Sequence, residues 1–282
     1  MWRALGVLGL VAACAKDTVV DSAPVEPVSP MGRLLIEELY YTGAPPAGGA
    51  DHYFSDQFIE LVNASDQPVM IGGLYLGDVF GVAGEINPGT TPDSQAGRDP
   101  DHVYLQNVWR IPGAPEDVVL APGASALIAH DGVNHAPFSP VDLTGASWEA
   151  FVDRGHDEDS PLVDNLEEVH FTGGYDWLMT VFGPSVVVLE LESEDALEPA
   201  LRDGWRLRTA PVEAVVDAVE TLMDADSAAF KRLPEAVDAG FLHASGTYTG
   251  ESVRRVRADG VLQDTDDSSA DFEVIATPEP GG

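Results

Sequence analysis

Carboxylates recur at short spacing in two stretches of this chain. "DRGHDEDSPLVDNLEE" supplies Asp153, Asp157, Glu158, Asp159 and Asp164, and "DTDDSSAD" supplies Asp264, Asp266, Asp267 and Asp271. Clustered oxygens suit a hard cation, and Ca2+ fits best because it accepts about six to eight oxygen ligands in a loose geometry. Neither stretch follows the EF-hand loop. Pro161 and Leu162 stand where an oxygen ligand and a glycine belong, and in the second stretch Ser269 replaces the glycine and Ile275 the terminal glutamate. Ca2+ on Asp157, Asp159 and Asp164, or on Asp266 and Asp267, is therefore one expectation, and solvated acidic loops are the other. No other cofactor is implied.

Aromatic residues offer a second chemistry. Tyr53, Phe54, Tyr175 and Trp177 fall in loop-like segments, where rings either stack on sugars or close over a core. Histidine, acid and serine are also present, so hydrolysis has to be weighed. Ser125 in "GASAL" and Ser185 in "GPSVV" lack the second glycine of the G-x-S-x-G elbow that exposes a nucleophile on a strained turn. His130, Asp131 and His135 are close in sequence, but a strand-end His-Asp pair more often caps a loop. His130 and His135 also lack the H-E-x-x-H frame of a zinc site. No catalytic residue is assigned, and the chain reads as a non-enzyme. A secreted hydrolase is the alternative, and a buried cleft with a paired nucleophile and base would mark it.

The start of the chain bears on location. "MWRALGVLGLVAACAKD" carries Arg3 and then an apolar run from Ala4 to Ala13 that is too short to span a bilayer, so it reads as an export signal. The run closes on Val11-Ala12-Ala13-Cys14, which resembles a bacterial lipobox. Cys14 is the only cysteine, so it has no partner for an internal disulfide and is expected to carry lipid. Residues 1–13 are then the signal, and 14–32 the lipid anchor and tether. The segment Asp17 to Met31 mixes acids with prolines and could extend about 45 Å at ~3.1 Å per residue.

Cleavage takes Lys+Arg from 14 to 13 against 48 Asp+Glu, moving the formal charge from −34 to −35. Such a chain repels phosphate backbones, so nucleic acid is not an expected partner. With 44% hydrophobic residues it can still fill a core.

The elements that must position these groups are strands. From Leu34 short apolar runs alternate with Gly, Pro, Asn and Asp, and strands are expected at Leu34–Tyr41, Gln57–Asn63, Pro68–Ile71, Leu74–Asp78, His102–Ile111, Ser125–His130, Ser185–Glu192, Ser252–Arg257 and Phe272–Ala276. In "DQFIELVNASDQPVMIGGLYLGD", Ile59 and Leu61 face one side of a strand while Phe58, Glu60 and Val62 face the other. Glu60 on a mostly apolar face needs a hydrogen-bond partner at the sheet rim. Pro211 to Asp224 places Val212, Val215, Val216, Val219, Leu222 and Met223 on one stripe, which predicts an amphipathic helix. Long loops are expected at Gly43–Phe54 and Val82–Pro100.

"IEELYYTG", the stretch from Asp56 to Asp78, and "LAPGASALIA" together resemble the lamin-tail domain, an immunoglobulin-like β-sandwich. A wider similarity, carried by Arg110-Ile111-Pro112-Gly113, "LAPGASALIAHDGVNH", "KRLPEAVDAGF" and "DTDDSSADFE", is to a family of uncharacterised bacterial surface lipoproteins. The resemblance implies a mainly β fold, an immunoglobulin-like or lamin-tail-like sandwich with long loops and one helix, spanning residues 33–282. It also implies an envelope location, with a membrane contact through Cys14 and an envelope protein or glycan as partner. Its role would be in envelope structure, adhesion or ligand capture. Lipidation is checked by mass spectrometry of the membrane fraction: the mature chain should begin at a diacylated Cys14, and Cys14→Ser should be released as unmodified protein.

Overall fold

Alternation along short apolar runs sets the architecture. The computed structural model describes residues 25–80, 99–154, 157–174, 176–177, 179–202 and 204–281. The signal, Cys14, most of the loop expected at Val82–Pro100, and Tyr175 lie outside the described residues. Strands β1 (Leu34–Tyr40), β2 (Phe58–Asn63), β7 (Ser125–Ala129), β8 (Trp148–Glu149), β9 (Asp164–Asn165), β15 (Ser252–Arg255) and β18 (Phe272–Ile275) form one sheet, ordered β18-β15-β1-β2-β7-β8-β9. Its pairs are antiparallel except β7–β8 and β8–β9. The second sheet runs β12-β13-β5-β4-β11-β14, from β4 (Tyr75–Val79), β5 (His102–Arg110), β11 (Ser185–Leu189), β12 (Glu198–Arg202), β13 (Trp205–Pro211) and β14 (Val215–Glu220), with β10 (Glu167–His170) also paired to β5. Two small ribbons complete the set, β3 (Val69–Met70) with β6 (Val119–Leu120) and β16 (Arg257–Ala258) with β17 (Val261–Leu262). The sheets face each other as a β-sandwich. All nine expected strands are present.

Ile59, Leu61 and Ile128 from the first sheet meet Leu76, Trp109, Val186 and Val188 from the second in the main core. The outer faces are covered too. Tyr40, Phe58 and Leu127 pack under Val141 and Leu143 on the first sheet, while Val187, Leu189 and Leu105 pack against Leu197, Leu233 and Val237 on the second. The chain expected to be tether joins this body from Val28, which bridges to Val69 and packs on the core.

The helix expected from Pro211 to Asp224 is not formed. β13 ends at Pro211, a 3₁₀ turn covers Val212–Ala214, and β14 follows. The pairing of β14 with β11 slips between Val188 and Leu189, so Leu189 faces Val215 while Val188 faces Asp217. The inserted residue leaves Val216 and Val219 both in the main core, a spacing of three that imitates a helical stripe. The one α-helix among the described residues is the single turn α1 (Ser268–Asp271), capped by the Asp267 side chain.

A buried ion pair holds the sheets together. Arg255 on β15 makes a bidentate contact with Asp217 on β14, at 2.8 and 2.6 Å. Both groups also take backbone partners on β1: the Arg255 Nε donates to Ile36 O at 2.8 Å, and Asp217 accepts from Ile36 N at 2.5 Å. Those polar atoms are available because β15 is registered with β1 only at Glu38 and Leu39 and does not reach Ile36. The Phe272 ring lies 4.5 Å under the guanidinium.

Glu60 is buried and stands directly across from Glu38. The C-terminal segment covers the two carboxylates: Gly281 N donates to Glu60 and Glu279 N to Glu38, each at 3.1 Å. Arg254, cross-strand from Glu38, bridges Glu38 and Glu279. The rim partner that the sequence requires is thus backbone amide. Glu60→Ala is expected to lower stability by roughly 1–3 kcal/mol, and Glu60→Gln, which keeps an acceptor for Gly281 and removes a charge beside Glu38, should retain it. Chemical denaturation of the three proteins decides.

Burial pushes Asp78 and Asp238 up to about 6, and raises Glu38, Asp56 and Glu149 as well. A carboxyl raised in the native state binds its proton more tightly than the unfolded chain does. Its stabilisation is full below the unfolded value near ~4 and is lost as pH rises through the native one, by roughly 3 kcal/mol each for Asp78 and Asp238. His130 and His135, which burial pushes down to about 3 and 4, act in the opposite sense over the same range, so the carboxyl share is read by difference: Asp78→Asn should lose its part of the fall in melting temperature between about pH 4 and pH 7 relative to wild type. An identical pH dependence of the two proteins would contradict this.

Candidate functional site

The β12–β13 hairpin builds the first candidate. Its strands pair from Glu198↔Thr209 to Arg202↔Trp205 and turn at Gly204, whose φ of 86° favours glycine. β5 pairs with β13 through Val103–Leu105 and with β10 through Val108–Arg110, so its edge is open between them. A cleft of about 840 Å³ lies there, lined by His170, Phe171, Leu201, Trp205, Arg206 and Arg208 among others. Trp205 is 40% exposed and is backed by Phe80 at 6.2 Å between ring centroids. Among the described residues Arg206 and Arg208 form no ion pair, whereas Arg110, Arg154, Arg254, Arg255, Arg257 and Lys231 each hold a carboxylate; Arg33 and Arg232 also lack one, but their guanidiniums donate to backbone carbonyls. Burial, and after it the Arg208 charge, lower the His170 pKa, and its Nε2 lies 3.0 Å from Arg206 O. Trp205 shares one face of β13 with Leu207, against Phe80, and Arg206 and Arg208 share the other, so the hairpin that walls the cleft carries an exposed indole and two uncompensated guanidiniums in a strongly acidic protein.

The second candidate lies at the end of the sandwich where β7 stops and β2 begins. Asp131, Asp157 and Asp176 bring one carboxylate oxygen each within 4.8 Å of one another. Glu149 positions two of the loops, accepting from Gly132 N and Ser160 N at 2.6 Å each. Asp157 is oriented by Val152 N at 2.6 Å and Glu158 N at 2.9 Å. Burial, then repulsion from Asp176 and Asp157, raises Asp131, and burial followed by repulsion from Asp157 pushes Asp176 up to about 7. His130 and His135 are pushed by burial down to about 3 and 4, so both rings are neutral. His135 Nδ1 lies 2.7 Å from the Tyr53 hydroxyl, and its Nε2 lies 3.2 Å from Asp131 O.

One short segment connects the two places. Phe171 and Thr172 line the cleft, Asp176 belongs to the carboxylate cluster, and Trp177 is fully buried. The segment is clamped at both ends by a cross-strand pair. Asn107 accepts from Thr172 N at 3.0 Å, Asp78 accepts from Trp177 Nε1 at 2.9 Å, and Asn107 donates to Asp78 at 3.2 Å.

Of the residues singled out in the sequence, Asp157 joins the cluster. Asp159 instead accepts from Asn165 at the surface, and Asp164 is exposed on β9. Asp267 is spent capping α1, where it accepts from Ser269 N and Oγ at 3.0 and 2.6 Å, and Asp266 is exposed at a φ of 55°. Asp271 accepts from Thr265 N, Thr265 Oγ1 and Asp267 N. Tyr53 stacks on Phe138 at 5.1 Å, Phe54 is half-buried, and Trp177 packs on His130 at 5.4 Å. Trp177 therefore faces the core, without a ring presented to solvent. Ser185 donates to Glu220 and accepts from Arg232, and Ser125 bonds to Glu60; neither meets a histidine among the described residues. Sequence reasoning missed Trp205, Arg206, Arg208, Asp131 and Asp176 as site residues. The Asp203-Gly204 turn signal between two short runs was the available clue to the hairpin.

Residues 121–279 match the family described as Protein of unknown function (DUF4876). A crystal structure of a DUF4876 family protein from Bacteroides thetaiotaomicron VPI-5482 is similar in fold, with a TM-score of 0.75 at 24% identity over 86% of this chain and 71% of that one. No curated protein matches the chain. The family match extends from the loop before β7 through β18 and takes in the carboxylate cluster, the hairpin and the buried ion pair, and the chain belongs to the DUF4876 family.

Proposed function

We propose that this protein is a non-catalytic lipoprotein of the bacterial envelope whose β-sandwich, held to the membrane through Cys14, captures an anionic glycan in the cleft beside Trp205. The observation that carries this reading is the pairing state of the arginines. With 14 Lys+Arg against 48 Asp+Glu, two neighbouring guanidiniums without a carboxylate are an unusual expenditure of positive charge. Arg206 and Arg208 sit that way on one face of the hairpin, with the exposed indole of Trp205 near its tip on the other. A carboxylated sugar offers its carboxylate to a guanidinium fork, which matches it bidentately, and a neighbouring ring of the same glycan, carried past the hairpin tip, offers apolar C–H edges to the indole. The positive cleft inside a negative field also gives directionality, since anions are repelled elsewhere and gather there. Export and anchoring rest on the signal-like start and its terminal cysteine.

The reading is tested with the lipid-free protein on uronate-containing and matched neutral oligosaccharides. Binding should require the carboxylate, weaken with salt, and fall roughly tenfold or more in Arg206→Ala/Arg208→Ala, as expected for losing about 1.5–3 kcal/mol of charge-assisted bonding. Trp205→Ala should weaken it further. Equal binding by wild type and variants, or no preference for the acidic sugar, would sink the proposal.

A further inference from the structure

Asp131 is 7% exposed and its Oδ1 has no hydrogen-bond partner; the Asp176 Oδ1 is likewise buried and unpartnered. Carboxylate oxygens that have lost water without gaining a donor are strongly destabilising. These two belong to side chains that converge with Asp157 to within 4.8 Å. Three carboxyl groups this close, in loops that Glu149 and the Asp78–Asn107 pair hold in place, lack a counter-charge on the protein: no Lys or Arg pairs with any of the three among the described residues.

We infer that Asp131, Asp157 and Asp176 form a binding site for a hard divalent cation of the Ca2+ type. The donor set is all oxygen, which selects against softer metals. Both oxygens of Asp157 already accept backbone amides, so it supplies an oriented, partly compensated carboxylate. Asp131 and Asp176 each supply an oxygen without a hydrogen-bond partner. Waters complete the sphere, as a flexible coordination number permits. The residues come from three separate loops, after β7, between β8 and β9, and between β10 and β11. That scatter is why no contiguous acidic stretch reveals the site, and why Asp159, Asp164, Asp266 and Asp267 are not part of it.

The site is distinct from the glycan cleft and does not depend on it. The probe is Tb3+, whose emission is sensitised by energy transfer from a nearby indole, and Trp177 adjoins Asp176. Tb3+ emission excited through tryptophan should appear on the wild-type protein and be displaced by Ca2+. It should be lost in Asp131→Asn and in Asp176→Asn, and persist in Asp266→Asn/Asp267→Asn. In parallel, Ca2+ at about 10 mM and fixed ionic strength should raise the wild-type melting temperature by several degrees, given a dissociation constant of ~0.1–1 mM, in the range of extracellular modules. Both asparagine variants remove a repelling charge without changing shape, so they should fold and melt at or above the cation-free wild type while losing the Ca2+ response. The proposal is overturned if Ca2+ adds nothing beyond matched NaCl, or if Asp131→Asn and Asp176→Asn keep both the emission and the shift.

Discussion

The contact between Arg255 and Asp217 is the point on which the sandwich closes. β1 is interior to one sheet and β14 is the edge of the other, and the two meet at Ile36, whose amide and carbonyl lie beyond the β15 pairing at Glu38 and Leu39. An unpaired peptide group inside a core is destabilising by a few kcal/mol. Here Asp217 accepts from Ile36 N, the Arg255 Nε donates to Ile36 O, and the two side chains neutralise each other. Removing either partner would strand a buried charge and leave an Ile36 backbone group unsatisfied together, so the pair acts as a unit. Phe272 under the guanidinium ties β18 to the same point.

Carboxylates recur as anchors for irregular backbone throughout the molecule. Glu149 joins two loops through Gly132 N and Ser160 N, and Asp238 accepts from Glu220 N, Gly240 N and Ser268 N. Glu220 takes Leu233 N and the Lys231 ammonium. A mainly β chain with long connections has many amides that no ladder satisfies, and an ionisable acceptor with two oxygens serves two of them at once. Part of the acidity is therefore internal architecture. The two late sequence landmarks are explained in this way, because "KRLPEAVDAGF" and "DTDDSSADFE" pack on each other: Ala239 N donates to Asp266 O, and a side chain at Gly240 would collide with Asp267.

The periodic part of this fold was legible in the sequence. Ile59 and Leu61 inward with Phe58, Glu60 and Val62 outward follows from a period of two, and the need for a partner at Glu60 follows from burying a charge. β14 was not legible, since a single bulge converts alternation into a spacing of three and the local pattern then favours the wrong element. β8 and β9, at two residues each, have no period to read. The candidate sites were hidden for a different reason. Asp131, Asp157 and Asp176 are brought together by loop closure, and Arg206 and Arg208 stand out by the absence of a carboxylate opposite them, which is a property of three-dimensional neighbours.

The Asp78–Asn107 pair shows how the two candidate sites share a scaffold. Both residues sit on adjacent central strands, in register, and their side chains reach the same connection at Thr172 and Trp177. Between those anchors the chain passes Gly173 and Gly174, each at positive φ, where side chains would resist the path. Phe171 and Thr172 at the start wall the cleft, and Asp176 at the end faces the carboxylate cluster. Asp176 and the cleft wall are therefore held by the same pair of side chains, a few residues apart on one span.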